Sequence, residues 1–204
     1  MSRRKQKNTR SKIATAAWRL FYEQGYENTT IEEIVEESET SKGSFYHYFP
    51  SKDALLGSLS DLFDDKYHEL MENMDPLMNS YEKLIFLNQE LFGMIENSIS
   101  LDLLARLFST QLLMKGERTL MDHNRFYFRV LHQIITEGQQ RGQISTQLSV
   151  SEISRVYAMC ERGLMYDWCI CSGSYSLKNY SATMMPMFLH DLRLPKGEET
   201  PSPV

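Results

Sequence analysis

The chain reads as all-α, with a small helix-turn-helix domain near its N-terminus and a larger helical bundle after it. Three observations point there. Apolar residues recur at i, i+3, i+4 spacing through most of the 204 residues, the repeat of a helix with one buried face. No segment sustains the alternation of a half-buried strand. Breakers are sparse, with six prolines and ten glycines, while Leu, Met, Glu and Gln, which lose little freedom in a helix, are plentiful.

Residues 1–8 are polar and basic, and the expectation is a disordered arm. A first helix, from about Thr9 to Gln24, lines up Ile13, Ala16, Ala17, Leu20 and Phe21, with Gly25 placed to end it. Thr30 can cap a second helix, Glu33 completing a capping box, with Ile31, Ile34 and Val35 turned inward. Ser41 can cap a third, Lys42 to Tyr48. Pro50 stops it, because proline disfavours α geometry in the residue before it.

Ser51 then opens a long fourth helix with Leu55, Leu59, Leu62, Phe63 and Leu70, expected to persist to Pro76. Five more periodic segments follow at about Tyr81–Asn97, Leu101–Lys115, Arg118–Arg141, Ser151–Cys171 and Leu177–Leu192, for about nine helices. Pro186 either kinks the last helix or starts it. The tail from Pro195 to Val204 reads as disordered. The expected domains are a basic arm (1–8), a helix-turn-helix domain (9–50), a helical body (51–194) and a tail (195–204).

Charge is unevenly placed. From Met1 to Tyr22 there are seven basic residues and no acidic one, whereas from Asp53 onward thirteen basic face twenty acidic residues. A basic end on an acidic body suits a protein that offers one end to a polyanion. No apolar stretch follows the basic N-terminus, which argues against a signal peptide. The apolar runs also fall short of a membrane span, so a cytoplasmic protein with no membrane partner is expected. Cys160, Cys169 and Cys171 form no even disulfide framework and lack zinc spacing, so reduced thiols and no metal site are expected. No nucleophile elbow, phosphate loop or HExxH occurs, and the five histidines are scattered. The chain does not read as an enzyme and implies no cofactor.

The stretch from Thr29 to Leu56 carries the functional signal. Two short helices joined by a tight turn make a helix-turn-helix, whose second helix enters a DNA major groove. Phe45 and Phe49, four residues apart, can anchor that helix from inside. Lys42, Ser44, Tyr46 and His47 are then free to meet base edges and phosphates, and Gly43 lets the backbone come close. An ordinary helical hairpin would leave three aromatics beside Lys and His on so short a helix unexplained.

The spacing Ile13-x-x-Ala16-Ala17-x-x-Leu20-Phe21-x-x-x-Gly25-Tyr26, then Thr29-Thr30-Ile31-x-x-Ile34, then Ser41-x-Gly43-x-Phe45-Tyr46-x-Tyr48-Phe49-x-x-Lys52-Asp53-x-Leu55, resembles the DNA-binding domain of TetR-family transcriptional regulators. The resemblance covers about a quarter of the chain, and the helical remainder fits that family's ligand-binding and dimerisation domain in length and helix count. It implies phosphate contacts from Thr30, Tyr46 and Lys52, and base-facing roles for Lys42, Gly43, Ser44 and His47, with Glu32 at a position where some members read bases. Two departures stand out. The family's usual Ala-Gly-Val-Ser turn is Ser38-Glu39-Thr40-Ser41 here, so Glu39 takes the glycine position and should be strained. Glu32, Glu33, Glu36, Glu37 and Glu39 place five negative charges in the domain, expected on a solvated face turned from DNA.

The implied function is a homodimeric repressor that binds a pseudo-palindromic double-stranded operator and is released by a small-molecule effector. The effector should be apolar or aromatic, uncharged or weakly cationic, because the acidic body offers few cations to a polyanion such as an acyl-CoA. A site between facing helices of the body would draw on Phe92, Phe108, Tyr127, Leu131 and Met159, with Trp168 at one wall. Ser151–Cys171 and Leu177–Leu192 would pair with their counterparts in a second copy. The alternative is a DNA-binding protein of the same fold controlled by a protein partner, or acting in chromosome organisation, without an effector.

Overall fold

The computed structural model describes residues 2–113 and 118–194, with residues 2–8 described by backbone alone. It is helical, and among the described residues the only β-type pairing is an isolated bridge between Ile144 and Arg193. The α-helices are α1 (Ser2–Gln24), α2 (Ile31–Glu37), α3 (Lys42–Tyr48), α4 (Lys52–Leu56), α5 (Leu59–Asn73), α6 (Ser80–Ser98), α7 (Leu101–Leu113), α8 (Phe126–Gln140), α9 (Val150–Ile170) and α10 (Leu177–Phe188). No described helix is long and apolar enough to cross a membrane.

Four expectations are corrected. The arm expected to be disordered over residues 1–8 is helical from Ser2, since Arg, Lys and Gln favour helix and no Gly or Pro interrupts them. The long fourth helix is two. After α4 the Ser58 hydroxyl donates to the Leu55 carbonyl at 2.6 Å and the Ser60 hydroxyl to the Gly57 carbonyl at 2.7 Å, side-chain bonds that compete with a continuous helix. The segment expected as one helix from Arg118 starts as a 3-10 turn, Thr119–Met121. It then loops, because the Asp122 carboxylate takes the Asn124 N–H at 2.8 Å, and α8 begins only at Phe126. Pro186 neither starts nor visibly interrupts the last helix; it lies within the final turn of α10. Lys115 and the tail 195–204 lie outside the described residues.

The fold divides into two compact units, and the division departs from the expected boundary at residue 50. Residues 1–62 with 99–121 form one, the head; residues 63–98 with 122–204 form the other, the body. The head's core is Ile13, Ala17, Phe21, Ile34, Phe45, Phe49 and Leu55, all buried. Each large side chain there contributes about 1.5–3 kcal/mol by leaving water. Phe21 packs on Tyr26 at 4.9 Å between ring centroids and edge-on to Trp18 at 5.5 Å. α7 belongs to this unit: Leu103, Leu104 and Leu107 are buried, and Arg106 lies over the Tyr26 ring at 4.9 Å and pairs with Glu27 at 2.6 Å.

In the body, α6, α8, α9 and α10 bury their apolar stripes: Leu84, Leu87 and Phe92; Leu131, Ile134 and Ile135; Ile153, Tyr157 and Trp168; Leu177 and Met185. Gly138 is what lets α8 come this close. A Cβ there would stand 2.6 Å from Ile144 Cδ1 and 2.8 Å from Ser80 Cβ.

Candidate nucleic-acid interface

Each short helix of the head starts on a residue suited to cap it. Thr30 holds α2 in a full capping box: its Oγ1 accepts the Glu33 N–H at 3.2 Å, and Glu33 Oε2 accepts the Thr30 N–H at 2.7 Å. Ser41 accepts the Ser44 N–H at 3.1 Å and Ser51 the Ala54 N–H at 3.2 Å, opening α3 and α4.

Between α2 and α3 the chain turns through a Schellman motif. The Thr40 N–H returns to the Val35 carbonyl and the Glu39 N–H to the Glu36 carbonyl, both at 3.0 Å. Glu39 sits at φ 51°, the left-handed conformation expected where the TetR pattern has glycine. A side chain there costs roughly 1–2 kcal/mol. The turn keeps its geometry and bears that strain.

The turn sets the orientation of α3. Phe45 and Phe49 are buried, their rings 6.1 Å apart, while Lys42, Gly43, Tyr46 and His47 are exposed on the opposite side. Ser44 is half-buried, its hydroxyl 3.0 Å from that of Ser41. Gly43 has no internal reason to be glycine. A Cβ would meet only Ser41 Oγ, at 3.8 Å, and no positive φ requires it. A helix is weakened by about 0.5–1 kcal/mol for each glycine that replaces alanine. The fold itself supplies no reason for glycine at this position.

Two of the expected contacts look different in place. Lys52 does not project freely toward a phosphate: its Nζ donates to the Tyr26 carbonyl at 2.7 Å and the Thr29 carbonyl at 2.9 Å, and lies 4.3 Å from the Tyr26 ring centroid. It ties the α1–α2 loop to the start of α4. Lys42 bridges to Glu32 on α2 at 2.5 Å, and this pair holds the carboxylate below its usual range and the amine above its own. Both side chains are exposed, so the bridge adds little stability and yields to a phosphate or a base edge.

The five glutamates do not share one solvated face either. Glu32 pairs with Lys42, Glu33 folds into the cap of α2, and Glu37 reaches back to Arg19 on α1 at 2.8 Å. Of the five, Glu36 and Glu39 remain on the exposed surface, outside these pairings. Local spacing could not have revealed the Arg19 and Lys42 bridges, whose partners lie on other helices. Tyr26, part of the motif spacing, has a role that spacing did not reveal. Its hydroxyl bonds to Asp53 and is held above the usual phenol range by burial and then by that carboxylate, which locks the loop that Lys52 grips.

The expected effector residues are divided. Phe92, Tyr127, Leu131 and Trp168 are buried in the body. Phe108 belongs to the head unit, half-buried on α7, because the chain clusters α7 there. Met159 is 55% exposed, since it points from the outer face of α9. It lies instead on an open groove lined by Cys160, Gly163, Leu164, Tyr180, Met184 and Phe188.

Residues 13–59 match the family described as bacterial regulatory proteins, tetR family. The HTH-type transcriptional regulator YuxN of Bacillus subtilis (strain 168) is 48% identical over 54 residues, 26% of this chain and 19% of YuxN, so the likeness spans about a fifth of that relative. UidR of Escherichia coli (strain K12), also an HTH-type transcriptional regulator, is 24% identical over 171 residues, covering 78% of this chain and 81% of UidR. Among solved structures, Thermus thermophilus FadR, a TetR-family transcriptional repressor in complex with lauroyl-CoA, superposes with a TM-score of 0.70 at 22% identity, over 96% of this chain and 99% of that one. The sequence likeness is strongest in the head, and the body shares the fold. Residues 13–59 thus carry a head of tetR type, and the helices of the chain follow the fold of that solved TetR-family repressor.

Proposed function

We propose that the protein is a homodimeric repressor that reads a pseudo-palindromic operator with α3 and leaves it when a small molecule enters the body. The observation that carries this is α3 itself: an outer face of Lys42, Gly43, Tyr46 and His47 held by buried Phe45 and Phe49, with a glycine the fold does not need. Ser44 and Thr30 complete the DNA-facing set. The Thr30 hydroxyl already caps α2, and the Ser44 hydroxyl pairs with that of Ser41, the cap of α3. One short helix covers only a few base pairs, and two copies would bind half-sites ~34–36 Å apart or a multiple of it.

The partner surface is the outer side of α9 and α10. These helices bury one stripe and leave another exposed, with Met159, Tyr166, Ile170, Tyr180, Met187 and Phe188 between 41% and 66% exposed. An apolar stripe on two neighbouring helices suits a self-complementary four-helix contact with a second copy. Met159 belongs to this surface in our reading, not to the effector site.

The effector site would lie among Phe92, Tyr127, Leu131 and Trp168. Its opening would favour one arrangement of the two α3 helices only if the ligand binds that arrangement more tightly. T. thermophilus FadR holds lauroyl-CoA. In this chain a ligand of that kind would meet twenty acidic against thirteen basic residues from Asp53 onward, which favours a neutral or cationic compound.

The test is sedimentation together with mobility shifts on the DNA upstream of its own gene. A dimer at micromolar concentration, converted to monomer by Phe188→Glu, and a retarded complex that needs the dimer are the expected results. A wild-type monomer, or His47→Ala with unchanged base preference where a loss of roughly 1–3 kcal/mol at particular positions is expected, would overturn the reading.

A further inference from the structure

The core of the body holds a carboxylate with no cation bonded to it among the described residues. Glu161, on the inner face of α9, is 3% exposed. Its Oε2 accepts the Tyr127 hydroxyl at 2.7 Å and its Oε1 accepts Asn88 Nδ2 at 3.1 Å. Tyr157, one turn earlier on α9, gives its proton to the Leu84 carbonyl at 2.8 Å. Tyr67 of α5 packs against Tyr127 with ring centroids 5.2 Å apart. Two atoms are left over: the Tyr67 hydroxyl and Asn88 Oδ1 are buried without a hydrogen-bond partner.

The groups facing Glu161 are therefore Tyr67 from α5, Asn88 from α6, Tyr127 from α8, and Tyr157 with Arg162 from α9. Burial raises the Glu161 carboxyl above its usual range, against hydrogen bonds from Tyr127 and Asn88, and Arg162 acts on it only through space. Burial, then the Glu161 charge, holds all three phenols well above their ordinary range, so they remain neutral. A buried polar group without a partner, and a buried charge without a counter-charge, are both costly. Native cores rarely combine the two.

The chemistry of the unmet groups is one-sided. A carboxylate, a free amide oxygen, phenol lone pairs and the faces of three aromatic rings all attract a positively charged hydrogen-bond donor. Apolar residues continue the same helix faces: Phe92 follows Asn88 by one turn, Leu131 follows Tyr127 by one turn, and Trp168 lies two turns beyond Glu161. We propose that Glu161, Asn88 and Tyr67 form the recognition site for an organic ammonium ion with an apolar or aromatic body. The site rests on reading the body as the effector domain and names the class of effector it admits. The ammonium N–H groups answer Glu161, Asn88 Oδ1 and Tyr67, while the apolar part displaces or packs among Phe92 and Leu131. A carboxylate or phosphate ligand would be set against Glu161.

The test uses the full-length protein with phenethylammonium, tryptammonium and 4-phenylbutylammonium, each beside the alcohol and the carboxylate of the same skeleton. Thermal unfolding reads binding, and mobility shift on its own upstream DNA reads release. The ammonium compounds should raise Tm, and Glu161→Gln, which keeps the shape and removes the charge, should weaken them about 10–100-fold. The alcohols should shift wild type and variant alike. Should Glu161→Gln fail to fold, Tyr67→Phe carries the same comparison, removing only an unpartnered hydroxyl and lowering ammonium affinity alone. The proposal is overturned if no ammonium compound stabilises the wild type, if the carboxylates stabilise it more, or if the variants bind ammonium as tightly as the wild type. Stabilisation through Glu161 with DNA still bound keeps the site and sinks the ligand-released repressor. Release by alcohols or carboxylates alone does the reverse.

Discussion

In the head, Lys42, Tyr46 and His47 stand outside a short helix that Phe45 and Phe49 hold from within; in the body, Tyr67, Asn88, Tyr127 and Glu161 are turned inward from four helices. Lys42, Tyr46 and His47 lie where water satisfies them, and in the proposed docking DNA would replace it. The body keeps these four residues dry and leaves a polar atom unmet on two of them, Tyr67 and Asn88. In our reading, that difference separates a surface proposed to read a polyanion from a core proposed to take in a small cation. It also sets where substitutions cost most, because an unmet buried group is expensive while an exposed ion pair is worth little.

Lys52 is the sharpest test of that division, since it lies in the head yet behaves as an internal group. Lys52→Met removes two hydrogen bonds to backbone carbonyls and the contact with the Tyr26 ring. It should lower stability by about 1–3 kcal/mol. Operator affinity should then fall through loosening of the loop before α2. A salt dependence reduced by about one charge with no change in Tm would show a phosphate contact instead and break the comparison.

Much of the head was legible because its signals are local. Thr30 with Glu33, Ser41, Ser51, and the spacing of Phe45 and Phe49 each lie within a few residues of what they control, and Glu39 takes the backbone conformation its position in the turn demanded. The bonds of Lys52 to the Tyr26 and Thr29 carbonyls and of Lys42 to Glu32 were not legible, because those partners lie 10 to 26 residues away in sequence. In the body, periodicity gave the helices but not their polar interior. Tyr67, Asn88, Tyr127 and Glu161 come from four separate elements, and each alone reads as an ordinary helix residue. The break after α4 was missed because it rests on serine hydroxyls bonding to carbonyls, while the apolar spacing runs straight through it.

The body's side of the comparison is sharpened by pH. The Glu161 carboxyl is raised in the folded protein, so the native state holds its proton more tightly than the unfolded chain, whose glutamates titrate near ~4.3. The stability this contributes is present below that range and is lost as pH rises through the folded value. Glu161→Gln removes the dependence, and its amide can donate toward the Tyr67 hydroxyl or Asn88 Oδ1. The variant should be more stable than wild type at pH 8, by about 1 kcal/mol or more, and the gap should close as pH falls toward about 4.5. Equal Tm values across that range would mean that Glu161 is not the uncompensated group described above.

Strain in the head offers a smaller gain. Glu39→Gly relieves a side chain at φ 51° while keeping both backbone bonds of the turn. Relief of roughly 1–2 kcal/mol is partly offset by the extra freedom of glycine in the unfolded chain, so a gain of about 0.5–1 kcal/mol is expected. A Tm unchanged or lowered by Glu39→Gly would mean that the glutamate side chain makes a compensating contact.

Gly43 gives the smallest change in stability and the cleanest separation of folding from recognition. A Cβ there would find open space, 3.8 Å from Ser41 Oγ, and the residue lies in the first turn of α3 at an ordinary helical φ. Gly43→Ala should therefore leave the head intact or stabilise it by up to about 0.5–1 kcal/mol, the usual preference for alanine in a helix. The same methyl group would stand on the outer face beside Lys42 and Tyr46, where α3 is proposed to meet DNA. Operator binding should weaken while Tm holds or rises, and the loss should affect specific and non-specific DNA unequally if Gly43 lies over base edges. Unequal loss would place the backbone of α3 in the groove; equal loss would place it on the phosphates. Unchanged affinity for both kinds of DNA would mean that this face of α3 does not approach DNA closely, and would end the proposed docking.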